Sequence, residues 1–268
     1  MSLHPPRPVD APAARNPWPE IDRLAADAGV EVALCPTWYN AGKVLFDYAV
    51  ALTMLLPVLA VIGVAAAAVK LSSPGPVFYT QTRLGLGGRR YRIVKIRTMH
   101  HNVELKSGIK WAGKDDDRVF RVGKILRKTH VDELPQLFNV LLGHMSLVGP
   151  RPERPEVIAA KGLEHLVPGY PHRLLVKPGV TGLAQVQLPP DEDITSVRHK
   201  VAYDLYYVRN QGLLLDARLV LATALKAAGA GPRVIRRVFL LPHRDAVASD
   251  FRRGLSSLSH GSGSFQPA

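Results

Sequence analysis

Residues 48–69 read YAVALTMLLPVLAVIGVAAAAV, 22 residues from Tyr48 to Val69 without a charge, with Lys43 and Asp47 before them and Lys70 after them. About 20 apolar residues suffice to cross the hydrocarbon core of a bilayer, so the stretch predicts a membrane-inserted helix. It starts too far along the chain for an ordinary secretory signal. Pro57, near its middle, removes one helical hydrogen bond and crowds the carbonyl of Thr53, so a kink is expected there. A kink can return the chain to the side it left. Lysines at both ends suit a re-entrant hairpin with both ends cytoplasmic, and a kinked but complete span is the alternative.

Outward from this segment the charge is uneven. Residues 1–43 carry four basic and five acidic side chains, whereas residues 70–268 carry 31 and 16, and the whole chain has a formal net charge of +13. The excess points to anionic partners: phosphorylated substrates, acidic lipid or nucleic acid. The single cysteine, Cys35, excludes an internal disulfide and any four-cysteine zinc site. Residues 1–20 hold six prolines and no apolar periodicity, and predict a disordered arm over 1–42 with a short helix over Ile21 to Leu34.

After the turn Leu71–Pro76, the run Val77 to Thr82 predicts a strand. Gly85, Gly87 and Gly88 predict a hairpin-like turn leading into Tyr91–Met99, where apolar and basic residues alternate, so that Arg92 and the basic residues after it are expected to line a groove. The glycines lack dinucleotide-binding spacing, and there is no Walker A run.

Chemistry is concentrated in Thr129–Pro152, THVDELPQLFNVLLGHMSLVGPRP. Asp132 and Glu133 precede an apolar run of helical period, Leu134 to Leu142, with Pro135 in its first turn and Gly143 as its stop. Ordinary capping explains an acidic pair at a helix start, as does a phosphate site with free amides and a favourable dipole. Arg127 leads into this start, and an arginine can grip a phosphate or hold a carboxylate ionised. Arg151 stands between two prolines that restrict where its guanidinium points. Lys177-Pro178-Gly179-Val180-Thr181-Gly182 forms a second turn, open to close approach of a phosphate. Leu213 to Ala228 predicts a packing helix, Val234 to Leu241 a basic interfacial segment, and the chain from His243 onward disorder.

These blocks together resemble the bacterial sugar transferases, the monotopic polyprenyl-phosphate phosphoglycosyltransferases. The resemblance runs from Lys43 to about Lys226. It rests on Lys43 to Asp47, Gly75–Phe78, Gln81 with Arg83 and Gly85, Lys95 to Met99, Asp132 to Leu137, Asn139–Leu141, Met145 to Pro152, Lys177 to Gln185, and Tyr203-Asp204. It implies an α+β, mainly helical monotopic membrane protein. Its parts are a re-entrant helix over 43–71 turning at Pro57, a catalytic domain over 72–230 with a small β-hairpin, and a basic interfacial segment and disordered tail over 231–268. The implied reaction moves a sugar-1-phosphate from a UDP-sugar to undecaprenyl phosphate, releasing UMP, at the cytoplasmic face of the bacterial inner membrane. Homo-oligomerisation is left open and no nucleic acid is implied.

By the same resemblance Asp132 is the nucleophile and Glu133 is catalytic, both hold Mg²⁺, and Lys95, Arg127, Arg151 and Lys177 bind substrate. Leu56 stands where the family commonly has Ser before the proline, His144 where Asp is common and Gln187 where Asn is common. The multi-span N-terminal region of larger members is absent from this sequence. The competing expectation is a basic, membrane-associated nucleic-acid-binding or adaptor protein without catalysis, against which the apolar segment and the intact acidic pair weigh.

Overall fold

The computed structural model describes residues 37–101, 103, 116–167, 169–190 and 193–251. The expected disorder and short helix within 1–36, Cys35, and the tail beyond 251 lie outside them.

Helix α1, Thr37–Ser72, is 36 residues long and, by length and composition, apolar enough to cross a membrane. It begins within the stretch expected to be an arm, because its first turn has a tertiary anchor. The Tyr39 hydroxyl donates to Asp216 Oδ2 at 3.1 Å and Lys43 Nζ to the same oxygen at 2.9 Å. Helical structure continues through Pro57 without interruption.

One face of α1 is buried along its whole length: Tyr39, Asp47, Ala51, Ile62, Ala65 and Val69 recur at helical spacing. Ala51 joins the main core with Val140, Met145, Val148 and Tyr207. Ile62, Ala65 and Val69 form a second core with Ile96, Phe120 and Leu126. Both halves of the helix therefore rest on the same body of protein. The other face exposes Leu45, Leu52, Met54, Leu56, Leu59, Val61 and Val64.

Strands β1, Phe78–Leu84, and β2, Arg90–Ile96, pair antiparallel, with Tyr79 opposite Lys95 and Arg83 opposite Tyr91. Alternation sends Tyr79, Arg83, Tyr91, Ile93 and Lys95 inward and Arg90 and Arg92 outward. The basic residues of β2 thus part company instead of lining one groove. Helix α2, Arg121–Lys128, packs against the end of β2. A Cβ on Gly123 would lie 2.1 Å from the Thr98 carbonyl oxygen, so only glycine permits this approach.

A 3-10 turn, Val131–Glu133, carries the acidic pair ahead of helix α3, Gln136–Leu141. Pro135 caps α3, and the helix ends at Gly143 with a φ of 75°. Strand β3, Ser146–Val148, is fully buried and pairs parallel with β4, Gly179–Thr181. Helices α4 (Pro155–Lys161) and α5 (Leu163–Leu166) lie between these strands in sequence. After β4 come α6 (Leu183–Gln187), α7 (Ile194–Arg209), α8 (Leu213–Ala227) and α9 (Pro232–Val238). Residues 244–251 are also helical, where the sequence predicted disorder. Val247 is buried there, and Arg209 Nη1 meets Asp250 Oδ2 at 2.7 Å. An apolar anchor and an ion pair hold a segment whose composition is polar.

The loops on either side of the β3–β4 pair cross with no room for side chains. A Cβ on Gly149 would lie 2.3 Å from the Lys177 carbonyl oxygen, and one on Gly182 would lie 2.2 Å from that of Gly149. The glycines of the second turn therefore serve loop packing. Gly149→Ala is expected to lower stability by roughly 1–3 kcal/mol through overpacking. Gly63→Ala, with nothing within 4 Å of the added carbon, is expected to leave the melting temperature unchanged or higher; thermal unfolding of both variants checks the contrast.

Candidate active site

Glu133 organises the site. Lys95 Nζ donates to its Oε1 at 2.6 Å, and Arg151 grips both oxygens, Nη2 to Oε1 at 2.6 Å and Nη1 to Oε2 at 3.1 Å. Burial alone would raise its pKa, but Arg151 and Lys95 outweigh it and hold the carboxyl well below the usual range. Asp132, the adjacent residue, is only 8% exposed and has no hydrogen-bond partner among the described residues. Burial and the neighbouring Glu133 charge push it up to about 6, against the pull of Lys95, Arg127 and Arg151. The firmly ionised member of the pair is Glu133, and Asp132 is the open one.

Each cation is placed from outside the turn. Lys95 projects from the inward face of β2, where burial lowers its pKa and Glu133 raises it. Arg127, near the end of α2, donates from Nε to Thr98 Oγ1 at 2.8 Å, and its charge acts on Asp132.

The Pro-Arg-Pro turn that bears Arg151 is clamped on two carbonyls. Arg173 Nη2 donates to the Arg151 oxygen at 2.9 Å, and Arg83 Nη1 to the Pro152 oxygen at 3.1 Å. Arg173 is itself paired to buried Asp204 at 2.7 Å. Glu133, in turn, raises the pKa of Arg151.

Lys177 is not brought to this cluster. A Cβ built on Gly143 would lie 3.9 Å from its Nζ and 4.0 Å from the Tyr48 hydroxyl, so Lys177 sits beyond the far end of α3 beside the apolar helix. Pro57 likewise stands apart, within α1.

Four further residues escaped sequence reasoning. Tyr79 lies opposite Lys95 on the inward face of the hairpin; burial raises its phenol, with Arg83, Asp132, Arg127 and Glu133 acting on it. A buried asparagine, Asn139, uses its amide to bind the Arg92 carbonyl at 2.8 Å and the Val94 amide at 3.1 Å, fastening α3 to β2. Arg97 holds the end of α1 through the Ser73 hydroxyl and carbonyl and the Pro76 carbonyl. Asp216, fully buried, holds its beginning. Position within apolar or basic runs hides all four, since their partners are distant in sequence.

The turn is also seated on α1. Val131 and Leu134, on either side of the acidic pair, pack into the cluster formed with Ile62, Ala65 and Val69. A buried carboxyl without a hydrogen-bond partner, among fixed cations and next to a long apolar helix, suits attack on the phosphorus of an anionic phosphate beside a membrane.

No group of three or more His, Cys, Asp and Glu side chains gathers for a metal among the described residues. The donor set still fits Mg²⁺, which commonly takes one or two carboxylates and fills its shell with water and substrate phosphates. Asp132 is free for that role, whereas Glu133 would have to exchange one of its cations.

Residues 38–229 match the model of the bacterial sugar transferases, and the chain belongs to that family. Among its relatives is a UDP-N-acetylgalactosamine-undecaprenyl-phosphate N-acetylgalactosaminephosphotransferase from Aeromonas hydrophila. The two are 46% identical over 155 residues, which cover 58% of this chain and 36% of the relative. A UDP-glucose:undecaprenyl-phosphate glucose-1-phosphate transferase from Xanthomonas campestris pv. campestris is 40% identical over 194 residues, covering 72% and 40%. An exopolysaccharide production protein PSS from Rhizobium leguminosarum bv. phaseoli is 41% identical over 192 residues, covering 70% and 96%. The match spans 40% or less of the first two relatives and nearly all of the third.

The Asp132 shift carries a stability consequence. A carboxyl whose folded pKa, about 6, exceeds its unfolded value near 3.8 contributes stability in full below the lower value and loses it as pH rises through the higher. Asp132→Asn is therefore expected to be more stable than the parent by roughly 1–3 kcal/mol at pH 8, and equal to it near pH 3.5, if both remain folded there. Denaturant unfolding at the two pH values checks this, and equal stability at pH 8 contradicts it.

Proposed function

We propose that the protein transfers a sugar-1-phosphate from a UDP-sugar to a membrane polyprenyl phosphate, undecaprenyl phosphate by analogy with its relatives, as the first membrane step of a surface glycan. The observation that carries this reading is the buried, unpaired Asp132 carboxyl among Lys95, Arg127 and Arg151, on a turn packed against the apolar helix. Family membership supports it.

In the first step an Asp132 oxygen attacks the sugar-bearing β-phosphorus. A carboxylate–phosphorus bond forms, the bond from that phosphorus to the bridging oxygen breaks, and UMP leaves with the electron pair. In the second step an oxygen of the lipid phosphate attacks the same phosphorus and displaces Asp132, giving a polyprenyl diphosphate sugar and the free carboxylate. With a pKa of about 6, most Asp132 is ionised at neutral pH and more basic than an ordinary aspartate.

Glu133 keeps Lys95 and Arg151 aimed. Arg127 and Lys95 stabilise charge on the transferred phosphoryl group, and Arg151 meets the diphosphate. Mg²⁺, held by Asp132 and the substrate phosphates, would supply Lewis-acid neutralisation of phosphate charge.

The packing of α1 supports a one-sided topology. Both halves of the helix touch the same charged domain, and a complete span would draw that domain into hydrocarbon, where ionised side chains are costly. The proposed arrangement is a helix that enters and leaves on one face, with the domain on the cytoplasmic side of the inner membrane and the basic helix α9 at its surface.

Protein in nanodiscs with Mg²⁺, undecaprenyl phosphate and the cognate UDP-sugar is expected to release UMP, and Asp132→Asn to lower the rate at least 1,000-fold, about 4 kcal/mol of transition-state stabilisation. Turnover retained in that variant removes Asp132 as nucleophile. Cysteines placed one at a time at Asn40 and Lys70, with Cys35→Ser, are expected to react with an impermeant thiol reagent from the same face of the membrane. Labelling from opposite faces would establish a complete span.

A further inference from the structure

Helix α8 packs on strands β3 and β4, with the Thr223 hydroxyl hydrogen-bonded to that of Thr181, and its last turn carries Lys226. Lys226 Nζ donates to the backbone carbonyl of Gln185, whose side chain lies over Gly182. Gly182 in turn packs against the Gly149 carbonyl, two residues before Arg151. An ammonium has three N–H donors, and the Gln185 carbonyl uses one.

We propose that Lys226, together with Arg151, binds the nucleotide-side phosphate of the donor, the one that departs with UMP. This rests on the phosphotransfer reading above and assigns a side chain that the sequence did not single out.

The order of charges supports it. Asp132 feels Lys95, Arg127 and Arg151, Lys226 feels Arg151, and the exposed His130 feels Glu133, Lys226, Arg151 and Lys95. Arg151 is common to the charges acting on Asp132 and on Lys226. A phosphorus attacked by Asp132 lies among Lys95, Arg127 and Arg151, and the next phosphate along the diphosphate is assigned to Arg151 and Lys226. Gln185 Oε1 is buried without a hydrogen-bond partner, an acceptor for which a ribose hydroxyl of the same nucleotide is a suitable donor. Lys226 thereby joins the substrate-binding cations, to which the resemblance had assigned Lys177, a residue the fold places close to Gly143 and Tyr48.

Binding of UMP and uridine to the full chain in nanodiscs tests this by calorimetry. Lys226→Gln is expected to weaken UMP roughly tenfold or more, as loss of a charge-assisted hydrogen bond requires, leave uridine binding unchanged, and be rescued by Lys226→Arg. On the unmodified protein, UMP is expected to protect Lys226 from acylation, as read by peptide mass. Parent-like UMP affinity in a folded Lys226→Gln, or acylation of Lys226 indifferent to UMP, overturns the assignment and leaves the transferase reading standing. A parent protein that binds no UMP overturns both.

Discussion

The fork of Lys95 and Arg151 on Glu133 is the constraint on which the rest of the site depends. A buried carboxylate is costly unless its charge is met, and here one oxygen is shared by two cations while Arg151 reaches both. That arrangement ties the inward face of β2 to the Pro-Arg-Pro turn across the acidic 3-10 turn. It also concentrates negative charge beside Asp132, which together with burial pushes the pKa of that carboxyl up to about 6. One residue of the pair is spent on structure so that its neighbour stays available.

Around this fork the protein stacks further pairs. Arg173 links Asp204 to the carbonyl of Arg151, Arg83 holds Pro152, and Lys200 meets Glu153 at 2.6 Å. Arg173 and Arg83 touch the backbone that aims Arg151, and Lys200 meets the side chain two residues further on. Several of the basic residues that the sequence counts toward an anionic partner thus position the site.

The apolar helix is part of the same construction. Its start is held by Asp216, its end by Arg97, and its second half packs under Val131 and Leu134. Thr98, next to Arg97, binds Arg127. The end of the helix and two of the cations facing Asp132 are therefore held by β2 and the two residues that follow it, which places the acidic pair next to the apolar helix.

The long apolar helix, the β-hairpin, the helix beginning at Leu213 and the acidic pair were legible in the sequence, because each is written in local periodicity or turn chemistry. So was the gathering of Lys95, Arg127 and Arg151 in name, through resemblance. Tertiary structure alone decided which carboxylate would be paired and which left open, since Asp132 and Glu133 are adjacent and chemically alike until β2 and the Pro-Arg-Pro turn close on one of them. It also moved Lys177 away from the site, brought Tyr79 toward it, turned the glycines of two loops into a backbone crossing, and ordered residues 244–251 on the core. Those outcomes depend on contacts between residues tens of positions apart, and a local pattern carries no record of such contacts.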